Sequence, residues 1–131
     1  MPLPDRCMAH SRSRRTFSHA HRQRLERATA HYLEWCYKRK TAARVSEFAV
    51  FLGRNADYLS RIAPDIVGQS LRDYLREQQL AHAANLLRTM PADLSVQEIA
   101  LRSGFGTYTT LYRWFRRRYG TSPTAIREVG K

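Results

Sequence analysis

From Arg22 onward, apolar residues recur at intervals of three and four. Leu25, Ala28 or Thr29, Tyr32, Leu33, Cys36 and Tyr37 fall on one stripe, which predicts a helix to about Lys40. Lys38, Arg39 and Lys40 in its last turn suit the negative end of the helix dipole. The preceding stretch, residues 1–21, holds two prolines, four arginines and three histidines without apolar periodicity. It reads as a flexible basic arm.

The rest of the chain contains a weak internal repeat. Val45, Glu47, Phe48, Ala49 and Gly53 reappear fifty-one residues later as Val96, Glu98, Ile99, Ala100 and Gly104. After a shift of one residue, Leu59, Arg61, Ile62, Gly68 and Ser70 answer to Leu111, Arg113, Trp114, Gly120 and Ser122. A repeat of this kind is one supersecondary unit used twice. Each copy reads as a short helix, a glycine turn and a second helix, which describes a helix-turn-helix.

The second copy carries explicit boundary signals. Ser95 and Glu98 have the spacing of a reciprocal capping box, and Leu94 can staple to Ile99. Ser103-Gly104 should stop that helix, and Thr107 should cap the next one, through about Arg118. Gly120 then ends it, and Ser122-Pro123 opens a last short helix. In the first copy the second helix is expected over about residues 56–63, cut short by Pro64-Asp65. Between the copies, residues 70–88 are rich in helix formers and predict a connector roughly 28 Å long, closed by Met90-Pro91. That length approaches the roughly 34 Å between successive major-groove faces of a duplex. The resulting expectation is an all-α chain of about seven helices: an arm (1–21), a first helix-turn-helix subdomain (22–68), a connector helix (69–89) and a second subdomain (90–131).

Composition narrows the function. A formal charge of +12 on 131 residues suits a polyanion, nucleic acid before an anionic membrane surface. The 43 % hydrophobic content argues against general disorder. Cys7 and Cys36 are too few for a disulfide framework or a cysteine-based zinc site, so a reducing, cytoplasmic setting is expected. No apolar run reaches the length of a membrane span, and the N-terminus lacks the apolar core of a secretory signal. His10, His19, His21 and Cys7 match no metal-ligand spacing. No constellation suggests catalysis, so neither an enzyme nor a cofactor is expected.

The chemistry concentrates on residues 107–118. From Leu101 to Arg127 there is no acid but six arginines: Arg102, Arg113, Arg116, Arg117, Arg118 and Arg127. Helical spacing turns Leu111, Trp114 or Phe115, and Tyr119 inward, and Tyr108, Thr109, Tyr112 and Arg113 outward. Arginine bonds bidentately to guanine, while threonine and tyrosine offer hydroxyls and apolar contact to thymine. Arg116, Arg117 and Arg118 suit phosphates, which position without reading sequence. An arginine run is ordinarily a solvated helix end; here it follows a capped glycine turn on an acid-free stretch. Trp114 and Phe115 are assigned to the core rather than to base stacking. The first unit presents Asp57, Ser60 and Arg61, but Glu47, Asp57 and Asp65 outnumber Arg54 and Arg61, leaving a balance of −1. Such a surface gains little from counterion release.

Over about residues 22–128 the sequence resembles the AraC/XylS family of bacterial transcription activators. The resemblance rests on Leu94-Ser-Val-Gln-Glu-Ile-Ala-Leu-Arg-Ser-Gly-Phe105, Leu111-Tyr-Arg-Trp-Phe115, Tyr119-Gly-Thr-Ser-Pro123 and Arg127. In the first unit Ala49, Leu52-Gly53, Tyr58-Leu59-Ser60-Arg61 and Gly68 match, and in the connector Tyr74-Leu75-Arg76 and Ala83 to Leu87-Arg88. The resemblance implies two recognition helices in adjacent major-groove segments of double-stranded DNA and contact with RNA polymerase. Carried over by position, Asp57, Ser60, Arg61, Tyr108, Thr109, Tyr112 and Arg113 read bases, and Arg76, Thr107, Arg116, Arg117 and Arg118 bind phosphates. With no room for a small-molecule sensor domain, the chain resembles the small stand-alone members, which bind as monomers. Three departures stand out: Ala63-Pro64-Asp65 replaces a phenylalanine followed by basic residues, Gln79 replaces an arginine, and Gly106 replaces a polar residue. The first two argue for weak DNA contact by the first unit. Rival readings are an interaction protein or a non-specific nucleic-acid binder derived from such a regulator.

Overall fold

The apolar stripes and caps resolve into seven helices, with no strand among the described residues, 18–91 and 93–129, of a computed structural model. They are α1 (His19–Arg39), α2 (Val45–Leu52), α3 (Ala56–Val67), α4 (Leu71–Thr89), α5 (Val96–Arg102), α6 (Tyr108–Tyr119) and α7 (Pro123–Val129). The all-α expectation of two helix-turn-helix units joined by a long connector, α4, holds. The expected arm lies outside the described residues up to position 17, but its last part is helical. His19 and His21 belong to α1, because the His21 imidazole accepts the Ser18 N–H at 3.0 Å and gives the helix an earlier start.

Each unit alone would be marginal, since a helical segment of about fifty residues buries little surface. The connector solves this by serving two cores. Its N-terminal half gives Leu71, Tyr74 and Leu75 to a core with Leu25, Tyr32, Leu33, Cys36, Phe48, Ala49, Leu59 and Ala63. Its C-terminal half gives Leu80, Ala83, Ala84 and Leu87 to a second core with Ile99, Ala100, Phe105, Leu111 and Phe115. Tyr32 ties α1 to α2: its hydroxyl donates to Glu47 Oε1 at 2.8 Å and accepts the Arg44 N–H at 2.9 Å.

The repeat is geometric as well as sequential. Gly53 and Gly104 end the first helix of each unit with φ of 69° and 78°, and Gly68 and Gly120 end the second with 79° and 74°. The caps lie where the sequence puts them: Ser95 Oγ accepts the Glu98 N–H at 3.0 Å, and Thr107 Oγ1 accepts the Thr110 N–H at 3.2 Å.

Two local expectations fail. Pro64 does not end α3; the helix runs on to Val67. Proline removes the bond to the Ser60 carbonyl, but Ser60 and Pro64 are both exposed, so water can satisfy that oxygen. Continued burial of Ala63 and Val67 on the opposite face outweighs the loss. The capping box is also only half made. The Glu98 carboxylate turns away from Ser95 and meets Lys40 Nζ at 2.7 Å and Arg102 Nε at 2.9 Å. These two cations hold its pKa below the usual carboxylate range.

Lys40–Glu98 is one strand of a seam between the units. The Ala43 N–H donates to the Gly104 carbonyl at 2.9 Å. Buried Gln79 donates through Nε2 to the carbonyls of Ser103 at 3.1 Å and Gly104 at 2.7 Å. Gln79 thus serves the second turn from the middle of the connector, a structural role that its place in the sequence does not reveal. A Cβ on Gly104 would lie 2.9 Å from Gln79 Nε2 and 3.3 Å from the Tyr37 ring, so this glycine is required by space as well as by φ. Gly106 packs similarly, its virtual Cβ 3.3 Å from that of Ala42.

Tyr37 also stacks on His82, with ring centroids 4.1 Å apart and planes within 2°. Burial lowers the His82 pKa, so the folded protein favours the neutral ring. The associated stability is fully present above the unfolded value, roughly 6.5, and declines as pH falls from there toward the folded pKa. Urea midpoints at pH 7.5 and 5.5 should show this loss, and His82→Phe should reduce it. An unchanged pH dependence in the variant would remove His82 from the account.

Candidate nucleic-acid interface

The α6 helix is oriented by its buried edge. Leu111 and Phe115 are fully buried, and their spacing leaves Thr109, Tyr112, Arg113, Arg116 and Arg117 along one open depression on the other side. Tyr108 is half-buried and lies beside Tyr112, ring centroids 5.9 Å apart. The four outward residues named from helical spacing therefore share one face, with Tyr108 at its edge. Thr107 is exposed, but its hydroxyl caps α6 and lies 3.0 Å from Thr110 Oγ1. Tyr119, expected inside, is 38 % exposed at the end of the helix, although its ring still touches Phe115 at 4.7 Å.

The phosphate candidates divide. Arg116 is exposed and lines the same open depression as Arg113. Arg118 is 4.0 Å from Glu77 on α4 and stacks over Tyr119. Arg117 lies over the Trp114 ring, 5.2 Å from its centroid. Arg76 is half-buried, over the rings of Phe105 at 5.6 Å and Trp114 at 5.5 Å, and its Nη1 donates to Gln79 Oε1 at 3.2 Å. Burial, followed by the charge of Arg72, pulls the Arg76 pKa below the ordinary guanidinium value.

Trp114 packs against the second core as expected, and it has a further role that helical spacing does not show. It is half-buried and borders the second core, but its ring serves the arginines of α4 and α6. Arg72 and Arg76 lie one turn apart on the connector, a like-charge pair whose mild repulsion an aromatic face can offset.

In the first unit, Asp57, Ser60 and Arg61 are exposed on α3, with Arg61 5.8 Å from the ring centroid of Tyr58. Tyr58 is itself 41 % exposed, and sequence reasoning used it only as a matching residue. No cluster of three or more His, Cys, Asp or Glu side chains suited to a metal occurs among the described residues, and no helix there is long and apolar enough to cross a membrane.

Known proteins place this geometry. A family model described as a helix-turn-helix domain matches residues 48–128. "Probable transcription factor PqrA" of Proteus vulgaris is 32 % identical over 99 residues, covering 76 % of this chain and 80 % of that protein. The "Regulatory protein SoxS" of Escherichia coli K12 is 34 % identical over 70 residues, covering 53 % of this chain and 64 % of SoxS. Among solved structures, the DNA-binding domain of AdpA, described as a global transcriptional factor in complex with a target DNA, superposes with a TM-score of 0.63 at 28 % identity. That match covers 77 % of this chain and 90 % of the AdpA domain.

Proposed function

The chain belongs to the AraC-type helix-turn-helix family of DNA-binding transcription regulators, and we propose that it reads its operator mainly through α6. The observation that carries this is the exposed, acid-free face of α6, set on the buried pair Leu111 and Phe115. On this reading Arg113 bonds bidentately to a guanine, and Tyr108, Thr109 and Tyr112 complete the base contacts. Arg116, Arg117 and Arg118, with Arg76 and the Thr107 end of the helix, hold phosphates. Asp57, Ser60 and Arg61 read bases more weakly from the first unit, whose charge balance opposes tight binding. The regulator acts as an activator in the cytoplasm, binds as a monomer and contacts RNA polymerase.

Arg113→Ala is expected to cost about 1–3 kcal/mol on the preferred site and to relax preference at one base pair. Selection of bound sequences from a random duplex pool, for both proteins at one salt concentration, measures this. Equal affinity of the parent protein for selected and random DNA would remove the reading.

A second reading, in which the first unit docks a protein, is favoured by one observation. Trp35, Val50 and Phe51 on α1 and α2 are 36 %, 79 % and 44 % exposed. Footprinting separates the two: one protected major-groove segment supports protein docking by the first unit, two support a bipartite grip.

A further inference from the structure

Trp114 faces the cleft between the connector and the recognition helix. Three guanidinium groups surround its ring: Arg72 at 5.3 Å, Arg76 at 5.5 Å and Arg117 at 5.2 Å from the centroid. The first two come from α4 and the third from α6, so the cluster bridges two elements. Arg72 and Arg76 also border a depression with Ala43, Arg44, Val45 and Ser46 of the first unit. The cluster therefore sits at the seam between the units.

Three like charges so close together repel, and an indole face offsets only part of that, about 0.5–2 kcal/mol per cation. Nearby acids do not neutralise them. Asp73 and Glu77 line the same cleft, but Glu77 accepts a hydrogen bond from Gln69 at 2.8 Å and faces Arg118. No ion pair joins a carboxylate to Arg72, Arg76 or Arg117 among the described residues. A cluster of arginines gathered around one ring, with Arg76 half-buried and Arg72 and Arg117 exposed and keeping donors free, is preorganised for an anion.

We propose that Trp114 is a positioning residue: its ring holds Arg72, Arg76 and Arg117 as one phosphate clamp that grips the DNA backbone at the seam between the two units. The proposal rests on α6 entering the groove, as above. It adds Arg72 to the DNA-binding residues and makes the recognition helix and the connector share one backbone contact. Because phosphates carry no sequence information, the clamp contributes affinity and register and leaves base preference alone.

The test is the dependence of binding on salt, measured on a selected operator and on a random duplex. Arg72→Gln alters an exposed side chain and should leave the fold intact. It should weaken both complexes by the same factor and lower the slope of log K against log salt by about 0.9, one phosphate contact. Trp114→Leu should lower the slope by more than Arg72→Gln does, because it releases all three arginines, whereas Trp114→Phe keeps a ring face and should restore most of it. Circular dichroism and urea midpoints confirm that each variant is folded. An unchanged slope in Arg72→Gln, or a slope in Trp114→Leu equal to the parent's, overturns the clamp. Loss of discrimination between operator and random DNA in the parent protein would instead count against base reading by α6, and the slope on random DNA would still report on the clamp.

Discussion

Phe115→Ala is expected to lower stability by about 3–5 kcal/mol. The side chain is fully buried, and it is the largest fully buried apolar group that α6 gives to the second core. That core is small, so the cavity has few neighbours able to collapse into it. Against a total stability on the order of 5–15 kcal/mol, the loss would leave the second unit close to unfolding. Urea denaturation checks this through the midpoint at unchanged slope. DNA affinity should fall more for the preferred site than for random DNA, because Phe115 touches no base itself but fixes how the base-reading helix α6 is presented. Phe51→Ala is the control: its ring is half-exposed, and a shift below about 1 kcal/mol is expected there. A Phe115→Ala midpoint near the parent value would mean that α6 is not anchored as described.

Gln79→Leu should cost about 2–3 kcal/mol although it conserves volume and adds apolar surface. Gln79 donates to two backbone carbonyls in the turn before α6 and accepts from Arg76. Leucine strips the Ser103 carbonyl of this donor; the Gly104 carbonyl keeps the Ala43 N–H. A buried acceptor left unsatisfied loses its hydration without replacement. The damage should be local to the seam. Amide exchange at Ala43 and Phe105 should accelerate, while the amides at the centre of α1 keep their protection. A variant as stable as the parent, with protection at the seam intact, would show that the turn holds itself.

These two residues also mark how far sequence reading reached. The second unit was legible in detail because its signals are short-range: a serine or threonine three residues before the N–H it accepts, a glycine at the left-handed position, a proline at a helix start. The inward position of Leu111 followed from helical period alone, which left Trp114 or Phe115 open as its partner; the structure buries Phe115 fully and Trp114 in part. Gln79, by contrast, read as a lost DNA contact, since nothing within its own helix shows that it faces the turn twenty-five residues away. Pro64 read as a terminator, because proline's local cost is visible in sequence and the burial of Val67 that outweighs it is not. Glu98 read as half of a capping box until α1 brought Lys40 to it.

Sequence by itself therefore determined the number and order of the helices, their caps, the twofold repeat and the basic face of α6. Each of these depends on interactions within a few residues, whose geometry the chain's own periodicity dictates. Only the tertiary structure decided which polar side chains are spent on the fold and which remain for DNA. Gln79, Glu98 and Trp114 could each have faced solvent or ligand. Their roles depend on which distant elements dock beside them, and burying two shared cores against one connector makes that choice.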